Sequence, residues 1–194
     1  MTTMRGLFIT IGMSSCAALL VGMLCACAPT LSTTKRPSAG THRFQSVEIP
    51  PGKPRSYLLH APDRWQRRPP LPLVVALHGA FSTAKKFARE SGWSTLAESE
   101  GFLVAYPEGF GLFGLLQHWN AGHCCGKAAA DNFDDVGFID AVIDDISAAF
   151  PVDPQRIYLT GFSNGGMLVH LYAAQRSVRI AAAAAVGAAA VSYT

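Results

Sequence analysis

A chain of 194 residues, 49% hydrophobic and 15% charged, has enough apolar side chains to bury a core and too few charges for a disordered protein, so it fits one globular domain or part of one. The net charge of +3 is scattered through positions such as Arg67-Arg68, and no helix face gathers Lys or Arg into a phosphate-tracking stripe. That distribution excludes nucleic acid as a partner.

The first 26 residues read as an address and not as part of the fold. Arg5 supplies a minimal positive start, residues 6–23 are apolar, and Leu24-Cys25-Ala26-Cys27 has the small-residue pattern of a lipobox, with Cys27 as the residue that would carry the lipid. The expectation is an exported protein, either a membrane lipoprotein or a plainly secreted one; an uncleaved anchor helix is the alternative, because the apolar run approaches the roughly 20 residues that span a bilayer. Residues 27–43 are rich in Pro, Ser and Thr and read as a flexible tether, which leaves 44–194 as the folded part.

Two short β-like runs, 44–49 and 56–60, flank Pro50-Pro51-Gly52 and suggest an antiparallel hairpin. Leu73-Val74-Val75-Ala76-Leu77 is continuously apolar, as a parallel strand covered on both faces must be, and it ends in His78-Gly79-Ala80. One helix is expected over 83–100, with Phe87, Trp93, Leu96 and Ala97 at helical spacing and Gly101 as its stop, followed by a strand over 102–106. Residues 107–133 read as a long Gly-rich loop of the kind that is usually functional. A second helix is expected over 134–150 from Val136, Ile139, Val142, Ile143 and Ile146, with Asp131, Asp134 and Asp135 in an ordinary capping role at its positive end. Strand, helix and a final Ala-rich segment over 178–191, readable as strand or helix, complete an alternation that means α/β with a mostly parallel sheet.

Cys16 and Cys25 leave with the leader, so the body holds only Cys124 and Cys125. In an oxidising compartment they are expected to pair, either with each other as a vicinal ring or each with a distant cysteine. His118 and His123 stand nearby, but structural zinc sites use spaced cysteine pairs, so no metal is assigned. Gly109-Phe110-Gly111-Leu112-Phe113-Gly114 matches a dinucleotide fingerprint in letters only, because no capped helix opens behind it to hold a pyrophosphate.

The informative motif is Thr160-Gly161-Phe162-Ser163-Asn164-Gly165-Gly166, placed directly after the apolar run 156–159. A serine between glycines where a buried strand turns into a helix is a nucleophile elbow: the turn is so tight that its neighbours must lack side chains, and it exposes Ser163 Oγ. Acyl transfer then needs two backbone N–H groups aimed at the developing oxyanion. Asn164, after the nucleophile, and Ala80, in the loop after the third strand, stand in those places. In this architecture an acid and then a histidine follow the serine, yet between Ser163 and Thr194 there is no Asp or Glu and the sole His is His170, about 10 Å along the next helix. His170 therefore reads as a helix-surface residue.

With these blocks in order, namely Leu77-His78-Gly79, 105–109, Trp119-Asn120-Ala121-Gly122-His123-Cys124-Cys125-Gly126, 134–138, 152–154 and 161–167, residues 51–184 resemble the secreted polyhydroxybutyrate depolymerase-like esterases, a group that includes feruloyl and acetylxylan esterases. The resemblance implies an α/β-hydrolase fold, a serine carboxylesterase that needs no cofactor, a small-molecule or polymeric ester as substrate, and a pocket walled by His78, Gly79, Trp119 and His123. Members of that group continue into further strands bearing a catalytic Asp and then a His. The expectation is thus the N-terminal portion of the fold, with the last strands missing, attached to the membrane through Cys27; the alternative is a non-catalytic surface binding module.

Overall fold

The computed structural model describes residues 40–49, 53–63, 65–67 and 70–190. The expected leader, the lipobox at Cys27 and the tether up to residue 39 lie outside them. Six strands form one sheet: β1 (Gly40–Ile49), β2 (Lys53–Ala61), β3 (Leu71–Leu77), β4 (Leu103–Pro107), β5 (Val152–Phe162) and β6 (Ala182–Val186), in the order β1-β2-β4-β3-β5-β6. β1 and β2 make the expected hairpin, beginning at Gly40 and not at Phe44, and β2 pairs antiparallel with β4. From β4 through β3 and β5 to β6 every pairing is parallel. Among the described residues, β6 is paired on one side only, and its alanines are largely exposed.

The alternation of a pleated strand explains why β3 is apolar throughout. Leu73, Val75 and Leu77 enter a core shared with α4 (Asp135–Ala149) and α5 (Asn164–Arg176), while Val74 and Ala76 enter a second core shared with α1 (Ala84–Glu90) and α2 (Trp93–Glu100). Helices therefore cover both faces, and no position of β3 is left for a polar side chain.

The single helix expected over 83–100 is two. Thr83 caps α1 by accepting a hydrogen bond from Lys86 N, Gly92 takes a left-handed φ of 74° before α2, and Gly101 ends α2 at φ 79°. The apolar periodicity continues across that break because both short helices pack on the same face, so periodicity alone could not report it. The long loop likewise contains a short helix, α3 (Gly126–Ala130). The Ala-rich segment resolves into a 3-10 turn over Ser177–Arg179 and then β6.

Asp135 departs furthest from its expected role. Asp134 does cap α4, accepting from Gly137 N at 2.7 Å, and Asp131 pairs on the surface with Lys127. Asp135, however, is buried, pairs with Arg55 Nη1 of β2 at 2.5 Å, and accepts from Asn120 N at 2.6 Å. The Arg55 guanidinium lies 3.8 Å above the Phe138 ring and donates to Glu108 O at 3.0 Å. Burial pushes the Asp135 carboxyl above its usual range, against the pull of Arg55. Removing one member of such a pair strands a buried charge. Arg55→Met should therefore cost about 3–5 kcal/mol, and adding Asp135→Asn, which keeps an acceptor for Asn120 N, should recover at least half of that loss in a denaturant titration. A double variant no more stable than Arg55→Met would show that the charge itself is not what Arg55 compensates.

Candidate active site

β5 ends and α5 begins at Ser163, whose φ of 51° and ψ of −120° are conformations that a serine adopts only under constraint. The constraint is close packing of backbone on backbone. A Cβ on Gly165 would lie 2.4 Å from His78 O, and one on Gly161 would lie 2.5 Å from Gly165 O, so α5 reaches the ends of β3 and β5 only because both positions are glycine. Val186 O of β6 accepts from Ser163 N at 2.9 Å and holds the elbow from the other side.

The same packing brings the turn after β3 against the elbow. A Cβ on Gly79 would stand 3.3 Å from Phe162 O and 3.5 Å from Ser163 Cβ. Phe81 N is committed to Gln117 O at 2.9 Å, and Ala80 N has no hydrogen-bond partner among the described residues. Asn164 N opens α5, where a helix has no carbonyl of its own to offer it. Gly79, Ala80 and Phe162 line a cavity of about 370 Å³ together with Phe81, Phe87 and Lys86, and Phe81 and Phe162 expose much of their rings at its mouth.

His78 and Trp119, expected on a pocket wall, have no exposed surface at all. His78 Nδ1 lies 2.8 Å from Gly79 O, which can only accept, and its Nε2 lies 3.0 Å from Gly109 N, which can only donate. The ring is thus the neutral Nδ1–H tautomer with both nitrogens in use, and it cannot serve as a base for Ser163 without releasing Gly109. Trp119 donates from Nε1 to His78 O at 2.8 Å, and its own backbone is held by the side chain of Asn164. These are internal struts.

His123 is exposed and lines a different cavity, of about 520 Å³, with Asn120, Asp134 and Leu171. His170 lies on α5, half-buried. Cys124 and Cys125 are joined to each other, the vicinal one of the two expected pairings, and Cys125 N donates to Trp119 O at 3.1 Å. The Gly109–Gly114 motif supplies a donor to His78 and a 3-10 turn in place of a phosphate-binding helix. Among the described residues no group of three or more His, Cys, Asp or Glu is placed to hold a metal. Arg55, Glu108, whose carboxylate accepts from Ala84 N at 3.0 Å, and Asp135 were not legible as supports of this region, because their partners are 15 to 80 residues away in sequence.

Burial pulls the His78 imidazole below its ordinary value, against the raising effect of Gly79 O and Glu108. The unfolded chain therefore takes up a proton below about pH 6.5 that the folded chain refuses, so the contribution of His78 is complete above that pH and is lost as the pH falls, at up to ~1.4 kcal/mol per unit. Melting the wild type and His78→Gln between about pH 5 and 7 should give the wild type the steeper loss on acidification. Parallel curves would sink this assignment.

The family model for Esterase PHB depolymerase matches residues 56–192. Feruloyl esterase B of Piromyces equi is 37% identical over 114 residues, which cover 58% of this chain and 20% of that protein. Poly(3-hydroxyalkanoate) depolymerase C of Paucimonas lemoignei is 33% identical over 109 residues, covering 53% and 24% respectively. Among solved structures, an acetyl xylan esterase from Aspergillus awamori superposes with a TM-score of 0.58 at 21% identity, over 73% of this chain and 50% of that one. The chain thus spans half or less of the length of these relatives. The structural likeness makes the fold that of an α/β-hydrolase, and with the family model aligned from β2 to beyond β6, the chain belongs to the Esterase PHB depolymerase family.

Proposed function

We propose that the chain carries the nucleophile and oxyanion donors of an exported serine esterase of the polyhydroxybutyrate depolymerase type, and that the triad acid and base are not among its 194 residues. The observation that carries this reading is Ser163, held at φ 51° on a strand-to-helix turn and backed by the turn that bears Ala80. Ser163 Oγ would attack the carbonyl carbon of a small or polymeric ester, and the oxygen that gains charge would be received by Asn164 N and Ala80 N. The alcohol would leave from the tetrahedral intermediate, and water would release the acid from the acyl-serine. No cofactor enters these steps.

The serine proton needs an acceptor. His78 has both ring nitrogens occupied and His170 stands about 10 Å along α5, so neither takes that proton in this proposal, and hydroxide deprotonates Ser163. A hydrolase with an oxyanion hole and no working triad retains roughly 10³ to 10⁴-fold catalysis over water. Hydrolysis of p-nitrophenyl acetate by the full chain should accordingly be slow, rise about tenfold per pH unit between roughly pH 6 and pH 9 without a plateau near neutrality, and vanish in Ser163→Ala. A plateau near pH 7, or rapid fluorophosphonate labelling there, would reveal a base within the chain. Hydrolysis indifferent to Ser163 at every pH would favour the binding-module reading. Appending a segment from a relative that supplies Asp and His should convert the sloping profile into one with a plateau.

The export proposal rests on the Leu24 to Cys27 pattern. Expressed with its leader, the protein should incorporate labelled palmitate at Cys27. Retention of label in Cys27→Ser, or an intact Met1 on the membrane-bound protein, would refute the lipid anchor.

A further inference from the structure

Every polar group of Trp119 is bound to a segment that carries, or stands next to, a proposed oxyanion donor. Its backbone N donates to Asn164 Oδ1 at 2.8 Å, and its backbone O accepts from Asn164 Nδ2 at 3.1 Å, so the Asn164 amide pairs with Trp119 as a neighbouring strand would. Its indole Nε1 donates to His78 O at 2.8 Å, two residues before Ala80. The first link fixes the opening residue of α5, and the second fixes the end of β3. His78 O is also the atom that Gly165 packs against, so the carbonyl is trapped between the indole and α5.

Trp119 is itself anchored. Cys125 N also donates to Trp119 O, and the adjacent Asn120 N donates to Asp135 Oδ2 at 2.6 Å, with Arg55 of β2 behind that carboxylate. The Arg55 guanidinium reaches the Trp119 ring at 5.6 Å from its centroid. A segment tied to α4 and β2 thus grips both halves of the site.

We propose that Trp119 and the Asn164 side chain are a positioning pair that sets the separation of Ala80 N and Asn164 N, an inference that rests on the assignment of those two groups to an oxyanion. The competing description is that Trp119 only fills the core. Trp65 provides the control, since it is buried to the same degree, 2% against 0%, and packs on Phe150 at 4.9 Å. Trp119→Phe removes the indole N–H with modest loss of volume, and Trp65→Phe removes comparable volume elsewhere in the same core.

The test is phosphonylation of Ser163 in the full chain by excess fluorophosphonate at about pH 9, where hydroxide removes the serine proton. The Oγ–P bond forms, the P–F bond breaks and fluoride departs, and intact mass gives the rate. Because a misplacement of about 1 Å costs up to 10²-fold, Trp119→Phe should label roughly 10 to 10²-fold more slowly, and Trp65→Phe near the wild-type rate, although both melt lower. Equal rates for the two variants would overturn the pairing. If the unsubstituted chain does not label above Ser163→Ala, the serine reading fails, and amide spectra still decide the strut: the Ala80 and Asn164 resonances should move in Trp119→Phe and stay in Trp65→Phe. An unmoved Ala80 resonance would overturn it.

Discussion

The contact on which the site depends is between two pieces of main chain. α5 can follow β5 through so tight a turn only because Gly165 slides past the carbonyls of Leu77 and His78 with no side chain between them. That contact puts the end of β3 beside Ser163, and it has a cost, since serine at positive φ is held there against its own preference. The surrounding sheet supplies what holds it: β3 is hydrogen-bonded on both sides, and Val186 O of β6 takes the Ser163 N–H. The strain thus lies at the turn between β5 and α5.

A second layer of constraint is polar and buried. Arg55, Asp135, Asn120, Trp119, Asn164 and His78 form a run of polar contacts, joined through the Trp119–Asn120 peptide, from β2 through α4 to the turn at Ser163 and the end of β3. In a low-dielectric interior each member is costly to leave unpaired, so the run rigidifies the region as a unit. Two histidines illustrate what this does to chemistry. His78, expected on a pocket wall, is a buried spacer whose ring nitrogens are both engaged, by Gly79 O and Gly109 N. His123 remains exposed, but on another cavity.

The residue before the serine, Phe162, is half-exposed. Phe81 and Phe162 stand at the mouth of the cavity that holds Gly79 and Ala80, and Val186 is half-exposed on the neighbouring strand. Exposed apolar surface of this kind marks places where something else binds. It lies beside the turn at which β5 passes into α5.

Local chemistry was legible in the sequence wherever one residue type satisfies one backbone requirement. Glycines at positions 161, 165 and 166 around a serine announced a tight strand-to-helix turn and the unbroken apolar run 73–77 a strand covered on both faces, and the structure carries both; of Asp131, Asp134 and Asp135, all read as helix caps, Asp134 is one. Hydrophobic periodicity could not show the break at Gly92, because α1 and α2 present their apolar sides to the same core and the pattern runs on. The roles of Arg55, Asp135, Trp119 and His78 were decided by tertiary structure alone. Each is defined by a partner brought from a distant stretch of chain, and a side chain's letter does not say whether folding will leave it in a cavity wall or bury it with every polar atom engaged.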